Sequence, residues 1–364
     1  MSALQSAPGT PQMGTYKLYA CMLVMLIAGT INMLLLKFQH MQMAPMSPGG
    51  EPEHFDHPLL QAGLMMGGEL LCLPMFYLMR TREEAEQSSR VPKWVFLVPC
   101  CCDLTATALL CMGIALIAVS VAQMCRGTIV IFVCLMSAAF LGRRQQPFQM
   151  AGISLVLVGI TLVSASAIIK AETTGSHVIG ATTGSQMMLG IFFCVLAQVF
   201  QACMFVYEEK IMSQYIIQPL HVVGMEGFFG VCISFVLLLC LYPFGVNTLG
   251  AFHQIRSSGP LAISIVCSML TVSVFNFSGA TITQQSSSVA RTTIKISSTI
   301  LIWLAELAFG WNTFSTLQFI GFLFVAKGTL IYNRLVQVPC IPQSEETTAL
   351  LKKKAHSEPI KEDA

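Results

Sequence analysis

Long apolar stretches constrain this chain more than any other feature of its sequence. Ten of them hold about 20 residues each, which is long enough for a helix to cross the hydrocarbon core of a bilayer. Only 10% of the 364 residues are charged, whereas soluble domains carry about 25%. The sequence therefore predicts an all-α integral membrane protein with ten transmembrane helices. The predicted spans are Tyr16–Leu36, Pro58–Met79, Trp94–Ile117, Ala118–Leu141, Phe148–Ile169, Gln186–Tyr207, Leu220–Tyr242, Pro260–Thr281, Ser288–Phe309 and Thr316–Leu335.

The distribution of lysine and arginine between the loops predicts the orientation of these spans. With the N-terminus in the cytosol, thirteen of these residues fall on the cytosolic side, and three (Lys37, Lys170 and Arg256) fall on the opposite side. Basic residues concentrate in cytosolic loops, so this orientation is favoured. Both termini are then cytosolic, with a short segment over 1–15 and a tail over 336–364.

The cysteines and the net charge exclude several classes of protein. Nearly all of the 14 cysteines fall inside predicted spans, so we expect neither a disulfide framework nor a zinc site. No nucleophile–base pair, metal cluster or phosphate-binding loop is recognisable, and we expect no enzyme, no cofactor and no metal. The net charge is +2 and no basic block precedes the last fifteen residues, which argues against nucleic acid as a partner.

A repeated pattern at a constant offset divides the chain into two halves. The pattern Q-x-x-G-x₆-G occurs over 149–159 and again over 318–328, an offset of 169, and the same offset places Arg126 on Lys295. Because each half holds an odd number of spans, the second half must be inverted relative to the first. Inverted repeats are a frequent plan for secondary transporters, with the substrate site between the halves. The predicted five-helix repeats are 16–170 and 186–335.

Eight ionisable side chains inside the predicted spans need an explanation. Each costs about 2.5–3.5 kcal/mol at the centre of a spanning helix. Four are acidic and four are basic, so mutual pairing that holds helices together is one interpretation. Contact with a polar solute in a water-filled cavity is the other. The eight are Glu69, Asp103, Arg126, Glu226, Arg291, Lys295, Glu306 and Lys327.

Polar neighbours favour the cavity interpretation at several positions. Glu69 and Glu226 lie within about one helical turn of equivalent positions in repeat-related spans, which predicts equivalent faces on two opposed cavity walls. Asn276 is interpreted either as a hydrogen-bonding residue between helices or as a cavity ligand. The Ser/Thr-rich stretch over 281–299 is typical of a helix that borders an aqueous cavity.

Four parts of the sequence resemble a known group of carriers. They are Asp103 in a hairpin of spans with almost no loop, residues 123–144 (QMCRG to FLGRR), residues 219–230 (PLHVVGMEGFFG) and residues 275–279 (FNFSG). Together they resemble the drug/metabolite transporter superfamily and, within it, solute carrier family 35, subfamily F. The chloroquine-resistance transporter-like proteins are similar but more distant. The resemblance covers about residues 16–335.

This resemblance implies the drug/metabolite transporter fold of two inverted five-helix repeats, working by alternating access. Lys295 is added to the implied site as the repeat counterpart of Arg126. The long cysteine-bearing lumenal loop of the chloroquine-resistance transporters is missing, and the loop over 243–258 is short, so their substrate preference is not carried over. The positions implied to line or brace the central cavity are Glu69, Asp103, Gln123, Arg126, Glu226, Asn276 and Arg291.

The C-terminal tail contains a short sorting pattern. Glu346, Leu350 and Leu351 form E-x-x-x-L-L, the acidic dileucine pattern that clathrin adaptors bind for delivery to endosomes and lysosomes. A solvated polar tail is the alternative interpretation. We therefore expect a multi-pass protein of the endolysosomal membrane, with the Golgi or mitochondrial membrane as alternatives.

Two hypotheses for function follow. The first is a secondary-active carrier that moves a small polar organic solute across an endomembrane. Proton coupling through Glu69, Asp103 or Glu226 is an option, because burial favours the neutral form of a carboxyl group. The second is a non-transporting scaffold that acts through protein partners at the tail and the loop over 80–93. The expected partners are the solute, the lipid bilayer, a clathrin-adaptor complex at the tail and a second copy of the chain.

Overall fold

Helices form most of the described part of the chain. The computed structural model describes residues 13–55, 57–81, 88, 91–116, 125–142, 146–173, 184–215, 217–244, 248–310 and 314–332. The helices are α1 (Thr15–Met41), α2 (Pro58–Leu70), α3 (Cys72–Met79), α4 (Leu97–Leu116), α5 (Ile129–Leu141), α6 (Pro147–Thr173), α7 (Gly184–Tyr215), α8 (Pro219–Leu241), α9 (Thr248–Ser257), α10 (Gly259–Gln285), α11 (Ser288–Ala308) and α12 (Thr316–Tyr332). Short 3-10 turns occupy Lys93–Phe96 and Tyr242–Phe244, and the two strands are β1 (Met43–Pro45) and β2 (Pro52–His54).

Six stretches of helix in the described residues are long and apolar enough to cross a membrane, by length and composition. They are Thr15–Met41, Pro58–Met79, Lys93–Leu110, Met188–Tyr215, Pro219–Leu241 and Gly259–Gln285. Three apolar helices are shorter: Cys125–Leu141, Pro147–Val163 and Thr316–Tyr332. Helix α11 lies at the predicted ninth span but is not among these, and its first turns are rich in serine and threonine. The chain is thus a multi-pass helical membrane protein, and the ten-helix inverted repeat stays a prediction.

The second predicted span is broken near its middle. Helix α2 ends at Leu70, a turn follows at Leu71, and α3 begins at Cys72. Pro74 explains the break, because its ring nitrogen carries no hydrogen for the carbonyl four residues earlier, that of Leu70. The break lies directly after Glu69, one of the predicted site residues.

Helix α7 extends well beyond the predicted sixth span. The prediction ended that span at Tyr207, in front of the charged run E-E-K, but the helix continues to Tyr215. Glu208 and Glu209 are only 0% and 2% exposed. The predicted end is therefore wrong by about two turns, because both acidic side chains find partners on α11.

A hairpin and a short helix that the sequence did not predict pack together at one end of the helices. The segment expected to be a plain short loop contains α9, and β1 pairs with β2 in an antiparallel hairpin. Gln254 of α9 donates from Nε2 to the carbonyl oxygens of Ala44 (2.9 Å) and Glu53 (3.3 Å). Phe55 is fully buried and packs with Leu261 at this end. The hairpin and α9 therefore form one folded unit.

Helices from the two predicted halves pack in pairs. Helix α6 packs against α12, α4 against α7, α1 against α10 and α2 against α8. Between α6 and α12, a Cβ added at Gly159 would lie 2.6 Å from the Gly321 oxygen, and one at Gly328 would lie 2.6 Å from the Gly152 oxygen. Close backbone approach therefore explains the repeated glycine pattern. The largest apolar cluster lies between α1, α5, α7 and α11.

Candidate functional site: a buried polar cluster

Seven polar side chains from six helices meet inside the helical bundle. Hydrogen bonds or electrostatic interactions link each of them to another member. Helices α2, α4, α7, α8 and α10 contribute one residue each, and α11 contributes two. We call this group the central cluster: Glu69, Asp103, Glu208, Glu226, Asn276, Arg291 and Lys295.

Arg291 is the most enclosed cation of the central cluster, with only 1% of its surface exposed. Its Nη1 forms an ion pair with Glu208 Oε2, and its Nη2 donates to Asn276 Oδ1 at 3.2 Å. The guanidinium also lies over the Phe205 ring, 4.3 Å from its centre. A Cβ at Gly279 would lie 2.6 Å from Arg291 Nε, so only glycine leaves room there. These contacts hold the guanidinium in one orientation.

Asn276 connects Arg291 to Glu69. Its Nδ2 donates to Glu69 Oε1 at 2.5 Å, while its Oδ1 accepts the bond from Arg291. Of the two interpretations of this asparagine, the hydrogen bond between helices is therefore present, and it joins α2, α10 and α11. Glu69 lies two residues before Leu71, the single residue that separates α2 from α3.

Asp103 and Lys295 form the less enclosed side of the central cluster, and both are half-buried. Gln201 of α7 donates from Nε2 to Asp103 Oδ1 at 3.1 Å. The Lys295 ammonium lies 5.0 Å from the centre of the Phe205 ring and interacts electrostatically with Asp103 and Arg126. The groups between α4, α7 and α11 are thus polar and only partly covered.

Glu226 is buried against the other acids of the central cluster. It is 4% exposed, and it interacts electrostatically with Glu208 and Glu69. Its Oε1 and the Oε1 of Glu208 have no hydrogen-bond partner among the residues that the structure describes. Buried acceptors without a donor are rare, and each costs about 1–3 kcal/mol.

Glycines allow α8 to approach α2 and α3 closely. A Cβ added at Gly224 would lie 2.7 Å from the Leu73 nitrogen, and one at Gly227 would lie 2.9 Å from Glu69 Cβ. As a result, Glu226 lies beside Glu69 at the contact between the two helices. The expectation of two carboxylates on opposed cavity walls is not what this packing gives.

Six of the predicted cavity residues belong to the central cluster. Arg126 is half-buried on the helical turn before α5, where its charge interacts with that of Lys295. Gln123 lies outside the described residues, as does the tight join between the third and fourth predicted spans. The sorting residues Glu346, Leu350 and Leu351 also lie outside them.

Two of the eight ionisable residues lie away from the central cluster. Glu306 accepts a hydrogen bond from Lys37 Nζ at 2.7 Å, near the ends of α11 and α1. This ion pair joins α1 to α11 and so agrees with the interpretation that charges inside spans pair to hold helices together. Lys327 is exposed on α12.

The Ser/Thr-rich stretch over 281–299 is largely buried. Thr292 and Thr293 donate, each at 2.8 Å, to the carbonyl oxygens of Ser288 and Ala290 on their own helix. Such local bonds satisfy hydroxyl groups without water. The high polarity therefore does not by itself mark the wall of an aqueous cavity.

The sequence reasoning missed the residues that α7 contributes. Glu209 Oε2 accepts from the backbone nitrogen of Ser288 at 2.8 Å, at the first turn of α11, where a carboxylate is stabilising. Gln201, Phe205 and Glu208 lie four and then three residues apart and so share one helix face. This spacing indicates that the face of α7 that carries Gln201 continues in the same helix to Glu208.

Comparison with known proteins gives consistent matches. The EamA-like transporter family matches residues 53–165. The rat and human proteins named solute carrier family 35 member F6 are 34% and 33% identical to this chain over 330 residues, which is 86% of this chain and 87% of each relative. An uncharacterized protein of Schizosaccharomyces pombe is 27% identical over 331 residues, or 87% of this chain and 98% of that protein. One solved crystal structure shares the fold, with a TM-score of 0.58 at 13% identity over 89% of this chain and 100% of that chain.

Proposed function

The chain belongs to solute carrier family 35, subfamily F, and we propose that it is a secondary-active carrier for a small polar organic solute. The families that it matches are families of transporters rather than enzymes. The observation that carries the proposal is the central cluster. Ionisable side chains inside a membrane protein are costly and mark solute or ion pathways, and this cluster joins helices of both halves.

An inverted repeat with alternating access is the mechanism that we propose. The packing supports it. In the proposed repeat, α1 corresponds to α7, α2 to α8, α4 to α10 and α6 to α12. Exchange of corresponding helices therefore converts the α4–α7 contact into the α1–α10 contact and leaves the α6–α12 and α2–α8 contacts unchanged. The one-residue interruption at Leu71 lies beside Glu69, and interrupted helices in transporters are found at the substrate site. Rocking of one half against the other would then expose the central cluster to each side in turn.

Proton coupling is a further part of the proposal. Glu69, Asp103 and Glu226 are the acids considered, and all three belong to the central cluster. A solute flux in liposomes that does not respond to an imposed pH gradient would remove the coupling and leave the carrier intact.

We also propose an endolysosomal location with both termini in the cytosol. The E-x-x-x-L-L pattern at Glu346, Leu350 and Leu351 supports it, through a clathrin adaptor, and the Golgi or mitochondrial membrane is the alternative. A homodimer is the proposed assembly. Organelle co-staining of wild type and a Leu350→Ala/Leu351→Ala variant tests the location, and wild-type staining in the variant contradicts adaptor sorting.

A reconstituted counterflow screen tests the carrier function. Liposomes that contain the purified protein are loaded with compounds from a broad panel of metabolites, and the exchange of each labelled compound is measured. Arg126→Ala should lower exchange at least 10-fold, whereas Lys327→Ala, which removes an exposed cation of α12, should leave it unchanged. Absence of exchange for the whole panel, with folded protein, contradicts the proposal.

The scaffold hypothesis makes the opposite prediction for the same variants. A scaffold that acts through the tail over 336–364 and the loop over 80–93 loses its cellular effect when the tail is deleted. It keeps that effect with Arg126→Ala. Measurement of both variants in one cellular assay separates the two functions.

A further inference from the structure

The central cluster contains more acidic groups than basic groups. Four carboxylates face two cations within it, and Arg126 adds a third cation that interacts with Lys295. The acids among these described residues therefore outnumber the bases by one. A site in which acids outnumber bases favours a positively charged solute over an anionic one.

The strongest cation of the central cluster is not available to an anionic solute. Both Nη atoms of Arg291 already donate, one to Glu208 and one to Asn276, and Gly279 closes the space beside Nε. Phosphate and carboxylate groups bind arginine through paired, unoccupied donors. The Arg291 Nε has no hydrogen-bond partner among the described residues, but it lies against Gly279. An anion that took both Nη atoms would break the contacts that hold three helices together.

The acceptors of the central cluster, in contrast, are not fully used. Glu226 is 4% exposed and Glu208 is 0% exposed, and the Oε1 atom of each has no donor among the described residues. The two carboxylates interact electrostatically with each other. Two buried, unsatisfied oxygens on interacting carboxyl groups are suited to a group that brings both hydrogen-bond donors and positive charge.

We propose that the transported solute carries a protonated amino group, and that this group binds at Glu226 and Glu208. An ammonium group has three donors and no acceptor, so it supplies the donors that both oxygens lack and a counter-charge for the acids. This inference rests on the proposed carrier function and specifies its substrate class. Lys295 remains beside Asp103, so a solute with an additional acidic group also fits, provided that it carries the amine.

Binding to matched probes tests the inference separately from transport. The full chain is placed in nanodiscs, and its thermal unfolding midpoint is measured with increasing cadaverine, glutarate, tyramine, 4-hydroxyphenylacetate or UDP-glucose. A ligand that binds the folded state raises the midpoint in a saturable manner. We expect the two amines to raise it and the acids and UDP-glucose to have no effect.

Two variants then locate the amine. Glu226→Gln should weaken amine binding about 10- to 100-fold, because it removes a charged hydrogen-bond acceptor, and Glu226→Asp should restore part of it. Glu51→Gln removes an exposed carboxylate near the hairpin and serves as the control, with unchanged binding expected.

Several results overturn the inference. They are stabilisation by the acids or UDP-glucose in place of the amines, no response to either amine, and amine binding that Glu226→Gln leaves intact. The last result is also expected if Glu226 binds only a proton. Amine binding without exchange in liposomes contradicts the carrier function instead, and exchange of an anion alone contradicts only the substrate class.

Discussion

Two adjacent glycines of α2 provide a matched test of how closely this helix packs against α10. A Cβ added at Gly68 would overlap the carbonyl oxygen of Met269 and lie 2.8 Å from its Cα and carbonyl carbon. A Cβ at Gly67 would lie 3.4 Å from Met269 Cε, the mobile end of a flexible side chain. The two variants therefore introduce the same substitution in the same helix and differ only in the atoms that the new methyl group contacts.

The structure indicates how large the effect of Gly68→Ala should be. An ordinary carbon–oxygen contact is about 3.3–3.6 Å, so α2 and α10 must separate by about 1 Å. That shift would lengthen the 2.5 Å bond between Asn276 and Glu69 to about 3.5 Å, which ends it. Overpacking costs about 1–3 kcal/mol and the bond about 1.5–3 kcal/mol, against a gain in helix propensity of about 1 kcal/mol. We expect a net loss of roughly 2–4 kcal/mol.

Gly67→Ala should instead be neutral or stabilising by up to about 1 kcal/mol, since only the propensity gain applies. On the scale of soluble domains, a difference of 3 kcal/mol corresponds to about 6–12 °C in the unfolding midpoint. The assay is the thermal unfolding of both variants and wild type in the same nanodiscs, with solute exchange in liposomes as a second measurement. Equal midpoints for the two variants would refute the reasoning, as would a lower midpoint for Gly67→Ala.

Three further predictions concern the other polar contacts. Glu208→Gln leaves Arg291 buried without its counter-charge and should lower the free energy of unfolding by about 3–5 kcal/mol; adding Arg291→Gln should recover part of the loss, which thermal unfolding measures. Gln254→Ala removes both hydrogen bonds to the hairpin and should speed limited proteolysis there without slowing solute exchange; an unchanged cleavage rate would contradict it. A double-mutant cycle of Lys37→Ala and Glu306→Ala should show a coupling free energy of at most about 1 kcal/mol, because the two side chains are 38% and 20% exposed. A coupling above about 2 kcal/mol would show that the pair is effectively buried.

The membrane class and most site residues follow from sequence because the bilayer imposes a simple rule. Apolar stretches of sufficient length stand out without knowledge of any contact, and a charge within one is costly wherever it lies. This is why the sequence alone indicates Glu69, Asp103 and Arg291 as candidate site residues. An ionisable residue in an apolar span is recognisable without knowledge of its neighbours, although its cost depends on them.

The contribution of α7 could not be found by the same rule. Hydropathy treats an acidic pair as the end of a span, whereas Glu208 and Glu209 continue the helix because α11 supplies their partners from about 80 residues later in the chain. The pairing of Asn276 with both Glu69 and Arg291 has the same origin. Contacts of this kind depend on how helices pack, and one sequence does not contain that information in any local pattern.

The reciprocal contact between α6 and α12 has a consequence for how this chain can evolve. Gly152 meets Gly328 and Gly159 meets Gly321, each through the backbone oxygen of the other. A larger residue at any of these four positions is blocked by its counterpart in the opposite half, and no single change elsewhere relieves both members of a pair. We therefore expect both proposed halves to retain small residues along the contact between α6 and α12. The glycine pattern should persist in distant relatives even where the rest of the proposed repeat is no longer recognisable.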